Sequence, residues 1–300
     1  MKEKFKEEIV SEKTILNYLR KQKPSVFTYA ELDKIFAKHS VAITFDGKIP
    51  TKSYLESLLE RGKLKKVLFS FPSRKETRYL IGKVSTLAVA QSLKPEAYFT
   101  HRSAMYLHKL TDEFPETLYI NVEQGRHHER DRMITQEGID RAFKNQVRVS
   151  HEIAEYEGIK ICVLHGQKTN RSEVIEKTFA ADLLRVASVE RTLIDIAVRP
   201  IYAGGVGEVI NAYMKSKGLF SVRKLLKVLE EMDYGYPYHQ AIGFYLETAE
   251  ACSQIELNIF RKKEIKHDFY LTHKMNETSY SENWRLYYPK NVKKEVHLSS

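Results

Sequence analysis

Glu190, Arg191 and Asp195 bring two carboxylates and a guanidinium into one short apolar stretch of this 300-residue chain. Carboxylates that converge on a cleft are what a metal-dependent nuclease uses to hold a divalent cation. Glu190 and Asp195, however, lie five apart on an expected helix and project in directions more than about 90° apart. That spacing favours an internal ion-pair network over a shared metal. His127 and His128 are adjacent and so diverge, no third ligand stands at a supporting spacing, and they fall in a charged surface loop. Cys162 and Cys252 are far apart in apolar surroundings and read as two free thiols. Gly204-Gly205-Val206-Gly207 precedes a helical pattern but lacks the Walker lysine and a nucleotide-binding βαβ unit, so it reads as a tight turn between helices. Neither catalysis nor a metal or cofactor is expected.

The chemistry the residues do support is contact with phosphates. The formal net charge is +10, and residues 1–85 hold 19 Lys and Arg against 10 Asp and Glu, whereas the remainder holds 30 against 29. Each phosphate neutralised by such a surface releases counterions, so a localised excess attracts nucleic acid. Lys48, Thr51, Lys52, Ser53 and Ser57 are the candidates for the major groove of double-stranded DNA. Lys63, Lys65, Lys66, Arg74, Lys75 and Arg78 are the candidates for its backbone. Neither Asn nor Arg stands on the groove-facing side of that helix, which limits bidentate base readout.

The elements that must carry these residues form a winged helix-turn-helix. A first helix over 14–21 sets Ile15, Leu16 and Leu19 on one side and is stopped by Pro24. Thr28 and Glu31 form a capping box, with Phe27 and Leu32 as a hydrophobic staple, and Ile35 and Phe36 continue that helix. Past Asp46-Gly47, a second helix over 50–61 buries Tyr54, Leu55, Leu58 and Leu59 and ends at Gly62. Strands over 64–71 and 78–81 then flank a turn, and a short strand over 41–45 can brace this wing.

A change to apolar composition near residue 85 marks a domain boundary. Beyond it we expect a helix over 101–109 capped by Thr100, strands over 117–122 and 159–164, and a helix over 188–198 capped by Ser188. Helices over 208–217 and 221–232, and one carrying Ile242, Tyr245, Leu246 and Ala249, follow; strands come at 269–271 and 284–288. The expected class is mixed α/β (α+β): a winged helix over 1–84, a larger mixed domain over 85–290 with a helical layer about 203–262, and a flexible tail over 291–300. No run approaches the roughly 18–20 apolar residues of a membrane span, and the N-terminus lacks a signal peptide's apolar core, so a cytoplasmic protein is expected.

Several stretches then carry a resemblance. They are Ser188-Val189-Glu190-Arg191-Thr192-Leu193-Ile194-Asp195, Val198-Arg199-Pro200-Ile201-Tyr202-Ala203-Gly204-Gly205 and Pro237-Tyr238-His239-Gln240-Ala241-Ile242-Gly243-Phe244-Tyr245-Leu246-Glu247. Together with Thr100 to His108 and Trp284 to Pro289, they make residues 85–290 resemble the AbiEi family. The resemblance implies an antitoxin of a type IV toxin-antitoxin, or abortive infection, system whose winged helix binds inverted repeats in its own promoter and represses the operon. It implies a cognate toxin with a nucleotidyltransferase-like fold, countered by the C-terminal part directly or through its effect. Palindromic operators would seat two copies on DNA. The motif residues His101, Arg102, Ser103, Glu190, Arg191, Asp195, His239 and Gln240 receive no assigned role. Two other readings stand beside it: a metal-dependent nuclease, and a toxin-binding protein whose winged helix is ancillary.

Overall fold

The structure is a computed structural model that describes residues 12–38, 51–125 and 134–292. Lys48, the expected strand over 41–45 and the His127-His128 pair lie outside the described residues.

The N-terminal unit comprises α1 (Glu12–Lys21), β1 (Val26–Phe27), α2 (Tyr29–Lys38), α3 (Thr51–Glu60), β2 (Lys65–Ser70) and β3 (Lys75–Leu80). The capping box forms as expected: Thr28 Oγ1 accepts from the Glu31 amide at 3.2 Å, and the Glu31 carboxylate accepts from the Thr28 amide at 2.7 Å. Gly62, at φ 65°, ends α3 while the Lys63 amide reaches back to the Leu58 carbonyl at 2.9 Å. Ile15, Leu19, Phe27, Leu32, Tyr54, Leu58 and Tyr79 share one core. The strands run antiparallel in the order β1-β3-β2, which completes the winged helix.

The pleat of the β2–β3 hairpin gives it two different faces. Lys66, Leu68 and Ser70 stand opposite Tyr79, Thr77 and Lys75 on one, and Tyr79 packs into the helical core. Lys65, Val67 and Phe69 stand opposite Leu80, Arg78 and Glu76 on the other. There Phe69 and Leu80 join the core of the next domain, with Val67 packed against it. The hairpin is therefore held between two bodies, and packing is continuous across the boundary expected near residue 85.

The larger unit begins with α4 (Thr86–Ser92), β4 (Tyr98–Phe99), α5 (His101–Leu107), β5 (Thr117–Glu123) and α6 (Gln136–Lys144). It continues through β6 (Ile153–Tyr156), β7 (Ile159–Gly166), β8 (Val174–Phe179), β9 (Asp182–Ala187) and α7 (Val189–Val198). Its six-stranded sheet has the order β6-β7-β5-β4-β9-β8, parallel at β5–β7 and β4–β9 and antiparallel elsewhere. Register aligns Phe99, Ile120 and Val163, which share a core with Leu87 and Val89 of α4 and with Phe69 of the hairpin. The alternate residues Tyr98, Asn121 and Leu164 also align and line a polar cavity.

A helical layer of α8 (Val206–Lys215), α9 (Val222–Glu231), α10 (Tyr238–Thr248) and α11 (Gln254–Arg261) surrounds α7. It is closed by a small sheet of β10 (Phe269–Tyr270), β11 (Thr278–Ser281) and β12 (Leu286–Pro289). Gly204 and Gly205, at φ 101° and 104°, make the tight turn into α8. Three expectations are corrected. Trp284 sits in a 3-10 turn, Glu282–Trp284, instead of a strand. Val292 is still buried in the helical core, so packing extends past residue 291. The third concerns Thr100, whose side chain does not cap α5.

Candidate nucleic-acid interface and a buried polar site

The wing's alternation divides the expected DNA contacts. Lys52 and Ser53 on α3, and Lys63, Lys66 and Lys75 on and beside the hairpin, are exposed; Thr51 and Ser57 are half-buried. None of these four lysines forms an ion pair with another described residue. The exposed Glu56 and Glu60 place acid on the same helix.

The other cations of the set turn to the protein itself. Arg78 is only 6% exposed. It donates to Glu76 at 2.9 Å and to the carbonyls of Leu93 at 2.9 Å, Ser92 at 3.2 Å and Thr77 at 2.9 Å. Its donors are occupied, and it leaves the set of phosphate contacts. Arg74 pairs with Glu76 at 2.7 Å and with Glu152 of the second domain, and its guanidinium lies over the Phe71 ring. Lys65 pairs with Glu157 at 2.8 Å and sits over the Tyr156 ring. These residues project from the hairpin face that packs on the sheet and join the two domains, with the Lys65 side chain still 60% exposed. Burial works to raise the Glu76 carboxyl, but hydrogen bonds from Arg74 and Lys94 outweigh it and hold it below the usual range.

The family-motif residues meet around α7. Ser188 caps this helix by accepting from the Arg191 amide at 3.2 Å, and Leu193, Ile194, Ile196 and Ala197 bury its apolar sides. Arg191 is thereby fixed at 3% exposure under the sheet. Its guanidinium donates to Tyr98 Oη and Thr169 Oγ1, both at 2.7 Å, and to the Ser172 carbonyl at 2.5 Å. Glu123 lies 3.6 Å and Asp195 3.8 Å from it. Tyr98 Oη also accepts from Asn121 Nδ2 at 2.7 Å. Burial tends to raise Glu123, but the Thr169 hydroxyl and the Arg171 and Thr169 amides hold it below the ordinary carboxylate range. Asp195 is shifted the other way: burial raises it, and Arg191 and Thr100 only partly oppose this.

Thr100, expected as a helix cap, instead donates its hydroxyl to Asp195 at 2.7 Å. Having spent its only proton there, it accepts from His101 Nδ1 at 3.0 Å. His101 opens α5 at φ 49° and is buried, and its Nε2 has no partner among the described residues. Burial, followed by the charges of Arg199 and Arg191, pushes the imidazole down to about 3. It is neutral at physiological pH.

Glu190 and Asp195 diverge as their spacing requires. Glu190 faces Lys224 at 3.3 Å and the start of α9, well apart from the Asp195 network. Arg102 links Glu113, Glu208 and the Ala203 carbonyl, and Ser103 accepts from the Tyr119 amide at 2.7 Å. Gln240 is fully buried and donates to the carbonyls of His267, Trp284 and Arg285, pinning the small sheet to α10. His239 is partly buried, with its Nε2 unpartnered and its ring held down by burial and then by Lys263.

The Arg191 network and His101 line a cavity of ≈ 600 Å³, together with Arg148, Arg199 and four tyrosines, Tyr202, Tyr234, Tyr236 and Tyr238. Sequence reading missed Tyr98, Asn121, Glu123 and Thr169. The signal available was the placement of polar Asn121 inside the apolar strand Leu118 to Val122.

No family model matches the sequence, and neither does any curated protein. Among solved structures, the crystal structure of RV2827C protein from Mycobacterium tuberculosis is similar, with a TM-score of 0.57 at 14% identity over 95% of this chain and 92% of that one. At that identity the likeness is one of fold, and it spans the winged helix and the larger domain together.

Proposed function

We propose that this protein is a DNA-binding transcriptional repressor and the antitoxin of a type IV toxin-antitoxin system. It binds inverted repeats in its own promoter and counteracts a nucleotidyltransferase-like toxin. The observation that carries the DNA part is the set Lys52, Lys63, Lys66 and Lys75: exposed, without acidic partners among the described residues, and confined to α3 and the hairpin beside it. The antitoxin part rests on the ordered motifs of residues 85–290 that resemble the AbiEi family. A binding role in place of catalysis is supported by the separate partners of Glu190 and Asp195, which leave no shared carboxylate cleft.

The test is fluorescence anisotropy on the duplex upstream of the gene and on a scrambled duplex, at several salt concentrations. Tighter, salt-sensitive binding to the promoter is expected. Equal affinity for both duplexes throughout would sink the repressor reading. Co-expression with a neighbouring nucleotidyltransferase-like gene tests the antitoxin part: growth should be restored by the whole chain and lost without residues 85–290.

A further inference from the structure

The cavity under the sheet has a charge arrangement that DNA binding does not use. Arg199 is partly buried at its wall, forms no ion pair among the described residues, and donates one bond, to the Arg148 carbonyl at 3.0 Å. Its charge acts on His101, Tyr202 and Tyr238, which places the guanidinium near these rings. Arg148, exposed at the mouth, likewise has no carboxylate partner among the described residues. Among the described residues, the one acid lining the cavity, Asp195, is already occupied by the Thr100 hydroxyl and flanked by Arg191. Two arginines lining one cavity, neither with a counter-ion among the described residues, make an anion the complementary guest, because the partly buried Arg199 charge is costly until it is paired.

The rest of the wall is too large and too aromatic for an inorganic anion alone. A space of ≈ 600 Å³ falls in the range of small-molecule sites, and the aromatic residues Tyr202, Tyr234 and Tyr236 line it. Asn121 uses its amide nitrogen on Tyr98, and no described residue donates to its Oδ1. Gly166 is what lets that amide sit there, since a Cβ at 166 would lie 2.7 Å from Asn121 Oδ1. Aromatic rings, an amide with an unused acceptor oxygen and two arginines, one in the wall and one exposed, therefore line one cavity.

We propose that this cavity is a binding site for a mononucleotide, with the base among the tyrosines and the phosphate on Arg199 and Arg148. The ligand site is separate from the DNA-binding face on α3 and the hairpin, so it gives the protein a second input.

Isothermal titration of the full-length protein with ATP, GTP, CTP and UTP, and with inorganic phosphate and adenosine as controls, tests this. At least one nucleotide should bind with 1:1 stoichiometry. Affinity should fall by about tenfold in Arg199→Ala, the loss of one charge-assisted contact, and by less in Arg148→Ala, whose exposed side chain leaves the fold untouched. Lys66→Ala/Lys75→Ala should bind nucleotide as the wild type does. The proposal is overturned if no nucleotide binds at about 1 mM. It is equally overturned if phosphate competes as well as the nucleotide. Binding that survives both arginine variants but disappears with the lysines would assign it to the winged helix instead.

Discussion

The winged helix and the larger domain use the same cationic residues in opposite ways. On the winged helix, Lys52, Lys63, Lys66 and Lys75 stand in solvent without acidic partners among the described residues, the kind of surface whose free energy changes when phosphates arrive. In the larger domain, Arg191 is buried among Tyr98, Thr169, Glu123 and Asp195, with its charge answered internally. The hairpin holds both behaviours within one element, because Lys65 and Lys66 are neighbours in sequence and point to opposite faces. Charge alone therefore does not mark an interface; it marks one only where the fold leaves the charge unanswered.

The contrast can be broken hardest at Arg191. Arg191→Ala would leave the largely buried carboxylates of Glu123 and Asp195 without their guanidinium, and we expect a loss of about 3–5 kcal/mol in urea unfolding. A loss below about 1 kcal/mol would mean that the network is not internally closed. The corresponding apolar test is Gly243→Ala. Alanine normally favours a helix over glycine by about 1 kcal/mol, yet here its Cβ would overlap the Trp284 ring, which Glu247 holds through the indole N–H at 2.6 Å. Destabilisation by about 1–3 kcal/mol is expected, and a stabilised variant would show that the indole can retreat.

The buried histidine gives a pH signature. His101 is held down to about 3 in the folded protein, whereas the unfolded chain takes up its proton near 6.5, so acid favours the unfolded state between those values. Wild-type stability should fall as pH drops below about 6.5, and His101→Gln should remove up to about 1.4 kcal/mol per pH unit from that slope. Equal slopes in urea titrations at pH 7 and pH 5 would place the histidine in water. The smallest effect concerns the wing: Lys66→Ala and Lys75→Ala should each lower the salt slope of promoter binding by about one, while Lys65→Ala leaves it nearly unchanged. An unchanged slope in the first pair would shift the phosphate contacts elsewhere.

Much of the architecture was legible because its signals are local. The Thr28–Glu31 box, the Gly62 stop and the Ser188 cap all lie within a few residues of the groups they satisfy, and each is found where expected. Elements stabilised only by pairing were not legible. The edge strand β8 reads Val-Ile-Glu-Lys-Thr-Phe, with little alternation until β9 lies beside it, and β4 is two residues long. Thr100 illustrates the limit: at a helix start its hydroxyl suits a cap, but Asp195, 95 residues away, takes it first.

By itself, then, the sequence determined the helices of the winged motif, the excess of positive charge in the first 85 residues, and the divergence of Glu190 from Asp195, since these follow from spacing and composition. Only the tertiary structure decided which of those cations remain free. The β2–β3 hairpin packs one face on the helices and the other on the sheet, so a two-residue pleat sends Lys66 to solvent and Arg78 into the interior. The same long-range packing gathered Tyr98, Thr100, Arg191, Asp195 and Arg199 around one cavity, a juxtaposition that no local spacing contains.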